Sequence, residues 1–216
     1  MTIESNRTLG GIGAILLVIF PFTGIFTGIF TSIVGLAGLI LLLIGLNGLA
    51  HEYKEQRIFN NAFYGAITAI VGAVAAVAIL VTAAIGILSV FGIQISSWTD
   101  PSAIQSAFQN FNAQNFTNWS ALAPYAAAAI GGLIILYICV VFGAFFVRRS
   151  LNALSEKSGT HLFATTGLLM LIGAFLTIIV VGILLLWVSL IILAVAFFEM
   201  RTGPVQAQTP TQIPSS

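Results

Sequence analysis

Four apolar blocks, residues 9–50, 62–93, 121–147 and 162–198, contain no Asp, Glu, Lys, Arg or His. That single feature restricts the chain more than any other. Long charge-free stretches are stable in lipid, where each backbone polar group must be satisfied within its own segment, and this favours helices. Composition points the same way. With 59% hydrophobic and 6% charged residues, the chain has too little charge to cover a soluble surface of its size. The sequence therefore predicts an all-α, polytopic transmembrane helix bundle.

A helix crosses the roughly 30 Å hydrocarbon core in about 20 residues. The first block would be about 63 Å long as one helix and the last about 55 Å, so each is expected to divide into a short hairpin. In the first, the break is expected within Pro21 to Gly28, where a proline and two glycines weaken the helix. In the last, it is expected near Thr177 to Gly182, on a weaker signal. The middle blocks read as single long helices, the first of them needing to tilt, kink near Gly86 or project. Six spans result, at about 9–27, 31–50, 62–93, 121–147, 162–179 and 182–198. They form one domain, 1–198, with two terminal hairpins around two long central helices. The first span is expected to stay in the protein, since no small-residue cleavage site follows it.

Charge placement supports an even count. Arg7, Lys54, Arg57, Arg148, Arg149, Lys157 and Arg201 are all the basic residues of the chain, and six spans put every one on the same side. The positive-inside rule makes that side cytoplasmic, together with both termini, and leaves loop 94–120 extracytoplasmic. Re-entrant terminal hairpins would preserve the same charge pattern.

The outer loop is rich in Gln, Asn, Ser and Thr with interspersed aromatics. Asp100-Pro101 reads as an N-cap followed by proline at the first helical position. Ile104, Ala107, Phe108 and Phe111 then recur on one face, which predicts a short amphipathic helix lying on the outer surface or capping the bundle. Trp98, Phe116, Trp119 and Tyr125 suit the interfacial aromatic belt. Asn115 and Asn118 begin two glycosylation sequons on the outer side. The tail, 199–216, has the proline-rich, nearly charge-free composition of a disordered segment.

Small residues supply the remaining pattern. Gly65, Ala69 and Ala73 are four apart, as are Ala128 and Gly132, a spacing that lets helix backbones approach closely. These are the candidate packing residues, and the third and fourth spans are expected to form the tightly packed centre. Some of these faces would suit self-association or a second membrane protein. Arg148 and Arg149, following Phe145 and Phe146, are candidate contacts for anionic lipid headgroups.

Absences narrow the chemistry. The near-zero net charge of +1 gives no nucleic-acid-binding face, and a lone Cys139 makes neither an internal disulfide nor a thiolate metal cage. No charged group within the spans suggests an ion-coupled carrier. His51 and His161, with Glu52, Glu55 and Glu156, match no familiar metal-ligand spacing. No catalytic residue, cofactor or metal is expected.

Several segments resemble a known family: Leu9-Gly-Gly-Ile-Gly13, His51-Glu-Tyr-Lys-Glu-Gln-Arg-Ile-Phe-Asn-Asn61, Phe145-Phe-Val-Arg-Arg-Ser150 and Gly159-Thr-His-Leu-Phe163. Together they are similar to an uncharacterised, mainly archaeal family of multi-pass integral membrane proteins, the domain of unknown function numbered 996. The likeness covers about residues 8–198 and implies topology without an activity. The expectation that follows is a noncatalytic accessory, scaffold or membrane-organising component. The alternative is a transporter or channel for a small neutral or lipidic solute, and the third reading is an interfacial enzyme in which His51, Glu52 or Glu55 would meet His161 and Arg149.

Overall fold

The computed structural model describes residues 2–27, 29–95, 100–109, 119–179 and 181–200, with the side chains of 23–32, 101, 104 and 109 left aside. Among the described residues, seven α-helices follow in order: α1 Ile3–Thr27, α2 Ile29–Glu52, α3 Arg57–Val90, α4 Pro101–Gln109, α5 Trp119–Ser158, α6 Leu162–Leu176 and α7 Val181–Glu199. A 3-10 turn, Thr177–Ile179, separates the last two, and no strand occurs among the described residues. Helices α1, α2, α3, α5 and α7, and α6 together with the 3-10 turn that follows it, are long and apolar enough to cross a bilayer. The protein is a six-span, all-α membrane helix bundle.

The helix ends have local causes. Lys54 takes a left-handed φ of 53°, so that Glu55 N–H reaches back to Ala50 O at 2.9 Å and Lys54 N–H to His51 O at 3.2 Å. These two bonds close α2 in a Schellman motif. Gly92 ends α3 in the same way, at a φ of 78° that a side chain would resist. Pro21 does not end α1, which continues to Thr27 and stops one residue before Gly28. The second reversal is encoded by Gly182, whose missing Cβ leaves room for the backbone of Leu176, Thr177 and Gly173. Thr177 Oγ1 donates to Gly173 O at 2.9 Å and steadies the end of α6.

The chain forms two compact units. The first comprises residues 1–66 and 143–216. Here α1 and α2 run antiparallel in backbone contact: a Cβ on Gly45 would lie 2.6 Å from Gly10 N and 2.8 Å from Asn6 O. Helix α7 lies along α1, with the Phe197 ring over Gly10 and the Phe198 ring over Gly11. Trp187 Nε1 donates to Val18 O at 3.0 Å, and Arg7 Nη1 to Met200 O at 2.8 Å. The main buried cluster includes Leu49, Ile58, Leu151, Leu154, Phe163, Leu193, Phe197 and Met200. Phe163 meets Phe197 edge to face at 5.2 Å. Ser150 Oγ donates to Ile58 O, tying α5 to α3 without an unsatisfied hydroxyl.

The second unit, residues 67–142, is an antiparallel pair of helix segments with α4. Gly72 faces Cys139, Gly132 faces Ile79 and Leu80, and Gly86 receives the Tyr125 ring. Each contact sets a glycine opposite a larger side chain, so knobs alternate between the two helices. Phe91, Ile93, Ala107 and Leu122 close one end in a small cluster. Asp100 Oδ1 accepts from Ser102 N–H at 2.9 Å and Ser102 Oγ–H at 2.7 Å, capping α4. These bonds also hold the Asp100 carboxyl below its usual pKa. The expectation of a tightly packed centre needs qualification. Of an 18-residue apolar stretch, 22% is buried in α3 and 11% in α5, against 33% in α7.

Candidate functional site

The polar residues of the first unit gather at the end where α1, α3 and α6 begin and α2, α5 and α7 finish. The α5–α6 junction forms a cleft at this end. Gly159, at a φ of 70°, sends its N–H to Ser155 O at 3.0 Å and terminates α5. Ser155 Oγ then donates to Thr160 O at 3.0 Å, and Thr160 N–H to Ser158 Oγ at 3.3 Å. The short turn sets the last turns of α5 beside the first turn of α6. Between them lies an open groove of about 600 Å³, lined by Arg148, Asn152, Glu156, His161, Thr165 and Leu168 among others.

Helix spacing places Arg148, Asn152 and Glu156 on one face of α5, four residues apart. A Cβ on Gly167 would come within 3.0 Å of Arg148 Cα, so the glycine sets the close approach of α6 to α5. Arg148 has no ion-pair partner among the described residues. Arg149 points elsewhere: it is exposed, with its guanidinium 4.8 Å from the centre of the Phe145 ring. The groove thus combines a cation, an amide and an imidazole with one carboxylate at its rim.

Beside it, Glu55 joins two chain turns. Its carboxylate pairs with Arg57 Nε at 2.7 Å and with Lys157 Nζ at 3.6 Å. The hydrogen bond from Arg57 is the main reason its pKa falls to about 2. A second, smaller cleft of about 310 Å³ is lined by Asn6, Ile44, Asn47, Gly48, His51 and Glu52. Asn6 is 1% exposed, and Gly48 accommodates its amide because any Cβ there would overlap it.

Residues 34–191 match the family model described as "Protein of unknown function (DUF996)". The chain belongs to the DUF996 family. A relative in Methanocaldococcus jannaschii, "Uncharacterized protein MJ1644", is 26% identical over 200 residues, covering 93% of this chain and 94% of that one. No solved structure matches. The family resemblance read from the sequence is therefore shown, along with its archaeal connection and its multi-pass membrane character.

The remaining sequence candidates fall as follows in this DUF996 chain. Gly65 is buried, its α-carbon facing Gly143 O and the Val147 side chain; Gly132 is buried in the second unit. Ala69, Ala73 and Ala128 are exposed. Asn115 and Asn118 lie outside the described residues, as do Trp98, Phe111, Phe116 and the tail from 201. His51 and Glu52 line the smaller cleft while His161 and Glu156 line the larger, so the structure does not bring the two histidines to one site. Among the described residues, no three of His, Cys, Asp and Glu are grouped to hold a metal ion. Asn152 was missed from sequence, although its position four residues after Arg148 was the available signal. Gly72 was missed as well: with Gly65 and Gly86 it falls on multiples of seven, the period of a left-handed antiparallel seam.

Proposed function

We propose that this DUF996 protein is a noncatalytic, membrane-organising scaffold that assembles with itself or with another membrane protein through the second unit. The observation that carries this reading is the exposure of Ala69, Ala73 and Ala128, beside a seam that already uses the neighbouring glycines. A Cβ on Gly131 would meet nothing within 4 Å, which leaves a further small, open position on α5. Small residues turned outward let a second helix backbone approach closely, whereas lipid contact alone sets no such requirement.

In this reading the terminal helices form two hairpins around the two long helices. The basic residues put both termini in the cytoplasm, and residues 94–120 outside. Helix α4 then lies at the outer surface, with Ala107 inward and Phe108, 52% exposed, toward the interface.

The test is gentle extraction of the full chain followed by intact-complex mass determination. A homo-oligomer or a stoichiometric partner is expected, and Ala69→Leu with Ala73→Leu should disperse it while leaving the thermal unfolding of the chain unchanged. A monomer unaffected by these substitutions overturns the scaffold reading. If that monomer also permits flux of a small neutral solute in proteoliposomes, transport takes its place.

A further inference from the structure

The groove between α5 and α6 has an arrangement that simple lipid exposure does not require. Its polar part offers Arg148, without an ion-pair partner among the described residues, together with Asn152 and His161. Its floor turns apolar at Ala164 and Leu168. From there the outer face of α6 continues through Leu168, 44% exposed, to Ile172, 40% exposed, one helical turn further on. A charged recess thus opens directly onto an apolar track. We propose that the groove binds the headgroup of an anionic, phosphate-bearing membrane lipid, with an acyl chain lying along Leu168 and Ile172.

The chemistry divides among the groups. The Arg148 guanidinium presents planar, paired donors to phosphate oxygens, which an ammonium group would not. The Asn152 amide and the His161 ring supply further hydrogen-bonding groups beside it. Glu156 is exposed at the rim and accepts hydrogen bonds only, so it repels a bare anion. It therefore favours a headgroup that carries donors beyond its phosphate, as a glycerol headgroup does and a choline headgroup does not. Arg149, over the Phe145 ring, lies outside this site and acts as a general interfacial anchor. The proposal rests on the groove and is independent of whether the second unit self-associates.

The full chain in nanodiscs of mixed phosphatidylglycerol and phosphatidylcholine tests it, with retained lipid read by intact-complex mass spectrometry. Wild type should retain phosphatidylglycerol in preference to phosphatidylcholine. Arg148→Gln should lower that retention about tenfold, the scale of losing a charge-assisted hydrogen bond. Asn152→Leu, which leaves all charges in place, should lower it several-fold and provides the reading if Arg148→Gln does not fold. Arg149→Gln should change it little. Equal retention of the two lipids overturns the proposal. So does an Arg149→Gln effect as large as that of Arg148→Gln, which would mean diffuse surface attraction. Displacement of the lipid by millimolar inorganic phosphate also overturns it, because the groove would then be a free-anion site.

Discussion

The two units achieve helix association by different means. In the first, six helix segments converge on Leu49, Ile58, Leu154, Phe163 and Phe197, and most of the buried large side chains are there. In the second, two helix segments meet along glycine contacts at Gly72, Gly86 and Gly132, and the burial behind them is slight. Both are physically reasonable in lipid, where removing apolar surface from hydrocarbon gains little and close van der Waals packing supplies the attraction. They differ in what they leave outside. The first unit carries both polar clefts and the Glu55 ion pairs. The second presents long apolar faces, including Val71, Val74, Ile130 and Ile134.

This contrast predicts where substitutions will act. The largest effect is expected at Gly45, whose missing Cβ faces backbone atoms of Gly10 and Asn6 that have no rotamer with which to yield. Gly45→Leu should separate α1 from α2 and cost about 3 kcal/mol, measured by thermal or denaturant unfolding in mild detergent. A cost near zero would mean that the α1–α2 contact adjusts freely and that the first unit is the looser one.

In the second unit the corresponding experiment is an exchange across the seam. Gly72→Ala should cost about 1 kcal/mol, because the added methyl meets the Cys139 side chain. In a Cys139→Gly background that penalty should disappear, giving a coupling of about 1 kcal/mol in a double-mutant cycle. Additive penalties would show that α3 and α5 slide past one another, and the glycine register would then lose its meaning.

Much of the fold was legible because its strongest determinants are one-dimensional. Length without charge gave six spans and the break that falls between Leu176 and Val181, and capping chemistry located one helix start, since Asp100 does cap α4. The packing face was harder to read. Gly72 and Ala73 are adjacent in sequence but about 100° apart around the helix, and an alanine-rich span offers a small-xxx-small pattern on almost every face. Spacing alone therefore selected Ala69 and Ala73, which are exposed, as readily as Gly65, which is buried. The groove was legible only in part. Arg148 stood out by its charge, but its placement with His161 depends on the left-handed turn at Gly159 and on how closely Gly167 lets α6 approach.

A smaller effect should come from the α1–α7 contact that completes the first unit. Trp187→Phe keeps the aromatic body, which meets Phe22 edge to face at 5.4 Å, and removes only the donor to Val18 O. The carbonyl already serves its own helix, so the loss should be about 0.5–1 kcal/mol by unfolding. A cost of several kcal/mol would make this bond the main tie between the two helices and leave less for the Phe197 and Phe198 contacts.

The smallest effect separates the polar end of the first unit from its apolar interior. Glu55 has its pKa lowered from 4.5 to about 2, chiefly by the hydrogen bond from Arg57, with the charges of Arg57 and Lys157 adding to it. A carboxyl with a depressed folded-state pKa stabilises the folded chain above its unfolded value and loses that contribution as pH falls through the folded one. Stability should therefore decline between about pH 4.5 and 2 in wild type, and Glu55→Gln should flatten this part of the profile. The Arg57 partner is largely exposed, with 75% side-chain accessibility, so added salt should shrink the difference between the two proteins. The second unit's Asp100, held low by Ser102, would be the remaining carboxylate to test if the decline persisted unchanged in Glu55→Gln. In that case Asp100→Asn should remove it, and acid sensitivity would belong to the α4 cap rather than to the ion pairs joining α2, α3 and α5.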